Sequence, residues 1–171
     1  MLFRSSLPEA VRIGVVSDTH NNLANVRTIV ELFAQARVER VVHTGDITQA
    51  KTLRVLAELG APLAGVLGNN DQGERESLEQ AATELGMELA DSPLELRWAG
   101  RRILVVHDPR ELAAHLDRHD LALHGHTHER RIDRSAGTLV FNPGECAGHL
   151  AGRNAVGVVD LASLEVEILR F

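Results

Sequence analysis

Three short apolar runs in the first half of the chain, residues 11–17, 40–44 and 63–67, each give way to a stretch with helical periodicity. Buried strands followed by amphipathic helices leave few choices of fold. Each strand must return parallel to the last through a right-handed crossover, with the helices covering the sheet. Residues 22–37 place Leu23, Val26, Val30 and Phe33 along one helical face, widened by Ile29 and Ala36. Asn21 or Asn22 offers the N-cap. Residues 48–59 carry Leu53, Leu56 and Leu59 inward and stop at Gly60, and residues 74–85 bury Leu78, Ala81, Ala82 and Leu85 and stop at Gly86.

The second half is richer in strand signals. Residues 94–98 and 102–107 flank Ala99-Gly100-Arg101 as a hairpin, and residues 155–160 and 164–171 flank Leu161-Ala162-Ser163 as another. Between them lie a short helix over 110–118, a buried strand over 121–124 and a short strand over 138–141. The expected architecture is α/β: two packed β-sheets flanked by helices. No repeat or Pro/Ser-rich linker interrupts it, so residues 1–171 read as a single domain. A chain of 171 residues that is 44% hydrophobic can bury a core of its own.

Composition narrows function by exclusion. The single Cys146 can make no internal disulfide and suits a reducing, cytoplasmic compartment; it also excludes a thiolate metal cluster. Cys146 itself has no base beside it in sequence and reads as a structural thiol. Residues 1–8 include Arg4 but no apolar stretch behind it, so no signal peptide is expected, and no run is long enough to span a membrane. A net charge of −6 and 3% aromatic residues, with no Tyr, argue against an extended nucleic-acid partner.

The nine histidines are the unusual feature, and most of them follow strands. Five blocks sit directly after predicted strands: Ser17-Asp18-Thr19-His20, Thr44-Gly45-Asp46, Gly68-Asn69-Asn70-Asp71, Val106-His107, and Gly125-His126-Thr127-His128. In α/β sheets, ligands bind beyond the carboxyl ends of the strands, so blocks far apart in sequence can converge there. Asp18 and His20 are two residues apart, as are His126 and His128; in extended chain each pair would form a fork pointing to one side. With Asp46, Asn69 and His107 they make seven lone-pair donors, too many for one tetrahedral zinc and suited to two cations sharing a carboxylate. Imidazole, carboxylate and amide oxygen without thiolate fit manganese first, with iron, zinc, cobalt and nickel as alternatives. The glycines before Asp46, Asn69 and His126 allow a sharp turn and close backbone approach. Two dications against Asp18 and Asp46 leave the site about +2, a charge that suits a phosphate. Water bridging the two metals is the expected nucleophile.

These blocks, in this order, resemble those of the calcineurin-like metallophosphoesterase superfamily. Asn142-Pro143-Gly144-Glu145-Cys146 resembles a turn of its small bacterial and archaeal phosphodiesterase branch. The resemblance runs from Asp18 to Gly144 and implies an αββα sandwich that hydrolyses a small phosphoester. It also implies a division of ligands: Asp18, His20, Asp46 and His128 on one metal, and Asp46, Asn69, His107 and His126 on the other, with Asp46 bridging. Two departures stand out. Asn70 occupies the position where many members carry a His that contacts phosphate and assists the leaving group, and an amide cannot serve as a general acid near neutral pH. Asp108 follows His107 where the family often has Gly, and can bond a ligand histidine or cap the next helix.

The alternatives are a phosphomonoesterase and a non-catalytic protein-interaction scaffold of the same fold, as in a retromer subunit; retention of all seven candidate ligands favours the enzyme. A nuclease is disfavoured because nothing follows Phe171 to grasp DNA. The sequence leaves homo-oligomerisation open. His43 and His124 read as supporting or packing histidines, His115 and His119 as a solvated face, His149 as able to reach the site, and Arg130, Arg131 and Arg134 as a solvated turn.

Overall fold

A computed structural model describes residues 10–171, so the expectation for residues 1–8 lies outside the described residues. The β/helix alternation forms as expected. Strands β1 (Arg12–Val16), β2 (Arg40–His43) and β3 (Leu63–Val66) run parallel, linked by helices α1 (Leu23–Gln35) and α2 (Ala50–Ala57). Asn22 is the cap of α1: its side-chain oxygen accepts the Asn25 N–H at 3.2 Å. After β3 the chain makes a 3₁₀ segment over Asn69–Glu74 and enters α3 (Arg75–Leu85), which ends on Gly86 at φ 68°. It then adds a parallel edge strand, β4 (Glu88–Ala90), absent from the sequence expectation.

The second sheet is built from β5 (Leu94–Trp98), β6 (Arg101–Val105), β7 (Leu121–Leu123), β8 (Arg131–Ser135) and β9 (Thr138–Asn142), in the order β5-β6-β7-β9-β8. The closing hairpin, β10 (Ala155–Asp160) and β11 (Val166–Arg170), returns to the first sheet and pairs antiparallel with β1, giving the order β11-β10-β1-β2-β3-β4.

Period-two burial decides which face each strand offers. Ile13, Val15, Val42 and Val66 of the first sheet meet Leu96, Ile103, Val105, Leu123 and Phe141 of the second in the central core. The other face of the first sheet, with Val16, Val41, Val156 and Val158, packs under Val26, Ile29 and Phe33 of α1 and Leu56 of α2. The outer face of the second sheet rests on Leu112 and Leu116. The segment carrying them differs from the expected helix over 110–118: it is two 3₁₀ pieces, Pro109–Ala114 and Leu116–Arg118, broken at His115. Only Leu112 is fully buried there, too little packing to hold a longer helix. Two further expectations are corrected. Arg131 and Arg134 lie on an edge strand rather than in a turn. His119 is buried rather than solvated, its Nδ1 2.7 Å from the His115 carbonyl and its Nε2 2.9 Å from Glu95.

Candidate metal centre

The five blocks meet at one rim of the sandwich, where β1, β2 and β3 of one sheet and β6 and β7 of the other all end. Their backbone is not extended. Asp18 (φ 50°), His20 (46°), Asp46 (58°), His126 (71°) and His128 (58°) all take left-handed conformations. The two-residue forks inferred from extended chain are therefore replaced by tight turns. A non-glycine residue in this region costs of order 1–3 kcal/mol, and such strain clusters where a site demands a particular direction of side chain.

Glycine lets these turns nest. A Cβ on Gly68 would stand 2.2 Å from Asp46 Oδ1, and one on Gly125 would stand 2.1 Å from the Ser17 hydroxyl and 2.7 Å from Asp18 Oδ2. A buried carboxylate holds two of the turns together: Asp71 accepts the N–H groups of Asp46 (3.0 Å), Thr48 (2.7 Å) and Gly68 (2.7 Å). The sequence placed Asp71 in one of the five blocks without assigning it a role.

The seven candidate side chains fall into two groups around Asp46. On one side Asp18, His20 and His128 each bring a donor atom within 4.8 Å of the other two. His128 Nε2 is 3.6 Å from Asp18 Oδ1, and His20 Nε2 is 3.9 Å from Asp46 Oδ2. On the other side His107 Nε2 is 2.8 Å from Asn69 Oδ1, 3.3 Å from His126 Nδ1 and 3.5 Å from Asp46 Oδ1. His126 Nδ1 is 3.1 Å from the same Asn69 oxygen.

Proton bookkeeping shows what these groups lack. His107 Nδ1 lies 2.8 Å from the Thr44 carbonyl, which can only accept, so Nδ1 donates and a neutral ring presents a lone pair at Nε2. That lone pair faces the Asn69 and Asp46 oxygens and a second imidazole nitrogen. Across the cleft, Asp18 Oδ1 and His20 Nε2 are buried with no hydrogen-bond partner among the described residues. Lone pairs converging without protons repel unless a cation stands between them, so the residues fit divalent metal.

Burial is the largest influence on the charge of these groups. Burial pushes the Asp18 carboxyl above its ordinary range, against a hydrogen bond from the Ser17 hydroxyl. Burial acts to raise Asp46, but the backbone N–H and side-chain amide of Asn70, at 3.0 and 2.7 Å, together with His107 and His20, outweigh it and hold that carboxyl low. Asn70 thus turns its amide to the central carboxylate. His20 is lowered by burial, against Asp46 and Asp18.

The supporting residues come from the same loops. His43 accepts the Gly45 N–H at Nδ1 (3.1 Å) and donates from Nε2 to the Thr19 hydroxyl (3.0 Å); burial pushes it down to about 3. His124 is buried with Nδ1 on the Gly125 carbonyl at 3.0 Å, and burial lowers it too. Asp108 caps the 3₁₀ segment through the Arg110 N–H at 2.9 Å; His126 Nε2, at 4.0 Å, is beyond hydrogen-bond reach, so the capping reading of this residue is the one met. His149 does reach the site: its ring lies 5.1 Å from that of His20 and 5.7 Å from that of His128, nearly parallel to the latter. The residue that places it, Glu145, was not singled out from the sequence. Its buried carboxylate accepts the backbone N–H groups of His149 and Leu150. Cys146 is buried, donates to the Ala155 carbonyl at 3.0 Å, and is pushed up to about 12 by burial, as a structural thiol should be.

Comparison with known proteins supplies the context. Residues 11–164 match the model of the calcineurin-like phosphoesterase superfamily domain. The chain is 32% identical over 160 residues to the phosphodiesterase MJ0936 of Methanocaldococcus jannaschii, covering 91% of this chain and 96% of that protein. It is 25% identical to the phosphodiesterase YfcE of Escherichia coli, over 91% of each. The solved structure of an archaeal phosphodiesterase superposes with a TM-score of 0.86 at 31% identity, over 94% of this chain and all of that one. Vps29 of Entamoeba histolytica shares the fold at 18% identity, with a TM-score of 0.66, over 94% of this chain and 99% of that one.

Proposed function

This chain belongs to the calcineurin-like phosphoesterase superfamily, and on that premise we propose that it is a metal-dependent phosphodiesterase acting on a small phosphoester. The convergence of unprotonated donor atoms around Asp46 carries the reading. Asp18, His20, Asp46 and His128 would hold one divalent cation and Asp46, Asn69, His107 and His126 a second, with manganese as the expected native ion. When bound, such a pair supplies Lewis-acid charge to the phosphoryl oxygens and lowers the pKa of water to a range useful for attack.

The chain's own groups do the positioning. Asp71 and Asn70 fix Asp46 between the two donor sets. The Thr44 carbonyl fixes the His107 tautomer, as outer partners of ligand histidines do. Asn70 can offer its remaining amide proton to a phosphate oxygen but cannot protonate a departing alkoxide. The substrate should therefore carry a leaving group that departs unaided. The same fold in Vps29 leaves a scaffold as the alternative, and the full donor set favours the enzyme over it. The family match over residues 11–164 supports one working domain, and the lone buried Cys146 supports a reducing, cytoplasmic setting.

The test is a screen of aryl diesters, cyclic nucleotides and phosphomonoesters with added Mn²⁺, Fe²⁺, Zn²⁺, Co²⁺ or Ni²⁺. The expected result is diester hydrolysis that needs metal and is lost in Asp46→Asn. A protein that binds none of these metals and turns over none of these esters would sink the reading.

A further inference from the structure

Next to the Asp18–His20–His128 group the surface opens into a cavity of about 410 Å³ whose wall includes His128, Arg130, Glu145, Arg153 and Arg170. The arginines reach it from separate segments. Arg130 follows the His126-Thr127-His128 block, Arg153 precedes β10, and Arg170 is brought in by its pairing with Ala155 across the closing hairpin. Gly144, at φ 103°, lets the Asn142-Pro143-Gly144 turn lie against Arg130: a Cβ there would stand 3.4 Å from the Arg130 nitrogen.

Six arginines are tied into ion pairs on other parts of the surface. Arg12, Arg54, Arg75, Arg102, Arg110 and Arg131 each reach a carboxylate. Arg130, Arg153 and Arg170 form no ion pair among the described residues. Of the carboxylates in the wall, Glu145 is engaged by two backbone N–H groups and Glu129 is exposed. Three arginines against Glu129 and Glu145 still leave the cavity with an excess of positive charge in a chain of net charge −6, and a concave wall concentrates the counter-charge. Guanidinium forks match phosphate oxygens in pairs, and three of them offer more donors than a carboxylate's two oxygens can take. His128 belongs both to this wall and to the metal-type donors, so one molecule can span the two.

We propose that the cavity is a second anion subsite, and that the substrate is a phosphodiester carrying a further phosphate group. This rests on the phosphodiesterase reading above. The test compares thymidine 3′-(4-nitrophenyl phosphate) with the same ester bearing a 5′-phosphate, using metal-loaded protein. The wild type should show a KM about tenfold or more lower for the 5′-phosphorylated ester, and Arg130→Gln with Arg153→Gln should bring the two KM values together. Equal KM values in the wild type, or an advantage that survives in the double variant, overturns the subsite. If neither ester is turned over, the phosphodiesterase reading has failed, and a second arm still decides the cavity. Inorganic pyrophosphate titrated calorimetrically into protein without added metal should bind the double variant about tenfold more weakly than the wild type. An unchanged affinity, or no binding to the wild type, overturns the proposal. Both arginines are exposed, so circular dichroism should report an intact fold in the variant.

Discussion

Asn70 shows how one side chain divides its duties. Its backbone and amide N–H groups both go to Asp46, which leaves the departing oxygen without an acid. Rates on aryl diesters should then fall steeply as the leaving group becomes a poorer one, and alkyl esters should react poorly. Replacing Asn70 with His should flatten that dependence, raising kcat on the poorer leaving groups by roughly a hundredfold, the low end of what general acid catalysis contributes. A steady-state series across substituted phenyl esters reads this directly, and identical slopes in the two proteins would count against it. At this scale the sequence was readable because donor type survives without coordinates. What it hid was backbone direction: nothing in Asp18-Thr19-His20 announces left-handed residues, since the preference comes from neighbouring turns that press on them. Glu145 was hidden for a related reason, because its partners are backbone N–H groups, which leave no mark in sequence.

Among the elements, the two sheets are keyed together by an aromatic ring set against a glycine. Phe141 of β9 projects across the central core onto Gly157 of β10, where a Cβ would meet its ring at 2.2 Å. Gly157→Ala should therefore overpack the core and destabilise the protein by roughly 1–3 kcal/mol. For a chain of this size that lowers Tm by roughly 2–4 °C per kcal/mol. Adding Phe141→Leu should restore part of the loss, because neighbouring substitutions couple. Differential scanning calorimetry on the two variants checks both statements; a Gly157→Ala protein with wild-type Tm would contradict them. The three α-helices and the five strands leading into the site were legible because burial imposes clear periods on them. β4 and β8 were not: Glu88-Leu89-Ala90 is too short for a period, and Arg131-Ile132-Asp133-Arg134-Ser135 is a largely exposed edge strand with Ile132 as its one apolar residue. The destination of the closing hairpin was equally hidden, because its pairing with β1 is set by the edge that β1 leaves open.

For the molecule as a whole, acid should be a specific threat. His43 is buried and neutral, held down to about 3 against an ordinary value of 6.5. Above pH 6.5 it is neutral both folded and unfolded and costs nothing. As pH falls from there toward 3, the unfolded chain takes up a proton that the folded chain refuses, so stability is lost throughout that window and the loss from this group ends below it. Urea unfolding of metal-free protein at pH 7, 5 and 4 should show the wild type losing stability faster than His43→Asn, by a difference of one bound proton. Parallel losses would contradict the assignment. The site's convergence has a consequence of another kind, in the order in which the chain is made. β1 is synthesised early, yet one of its edges is closed only by β10, from the far end of the chain. At typical elongation rates that edge stays open for on the order of ten seconds, and an unpaired, valine-rich edge is a template for other strands. Chains that stop before residue 155 can carry all seven candidate metal donors and still lack the strand that keeps β1 from joining a neighbour.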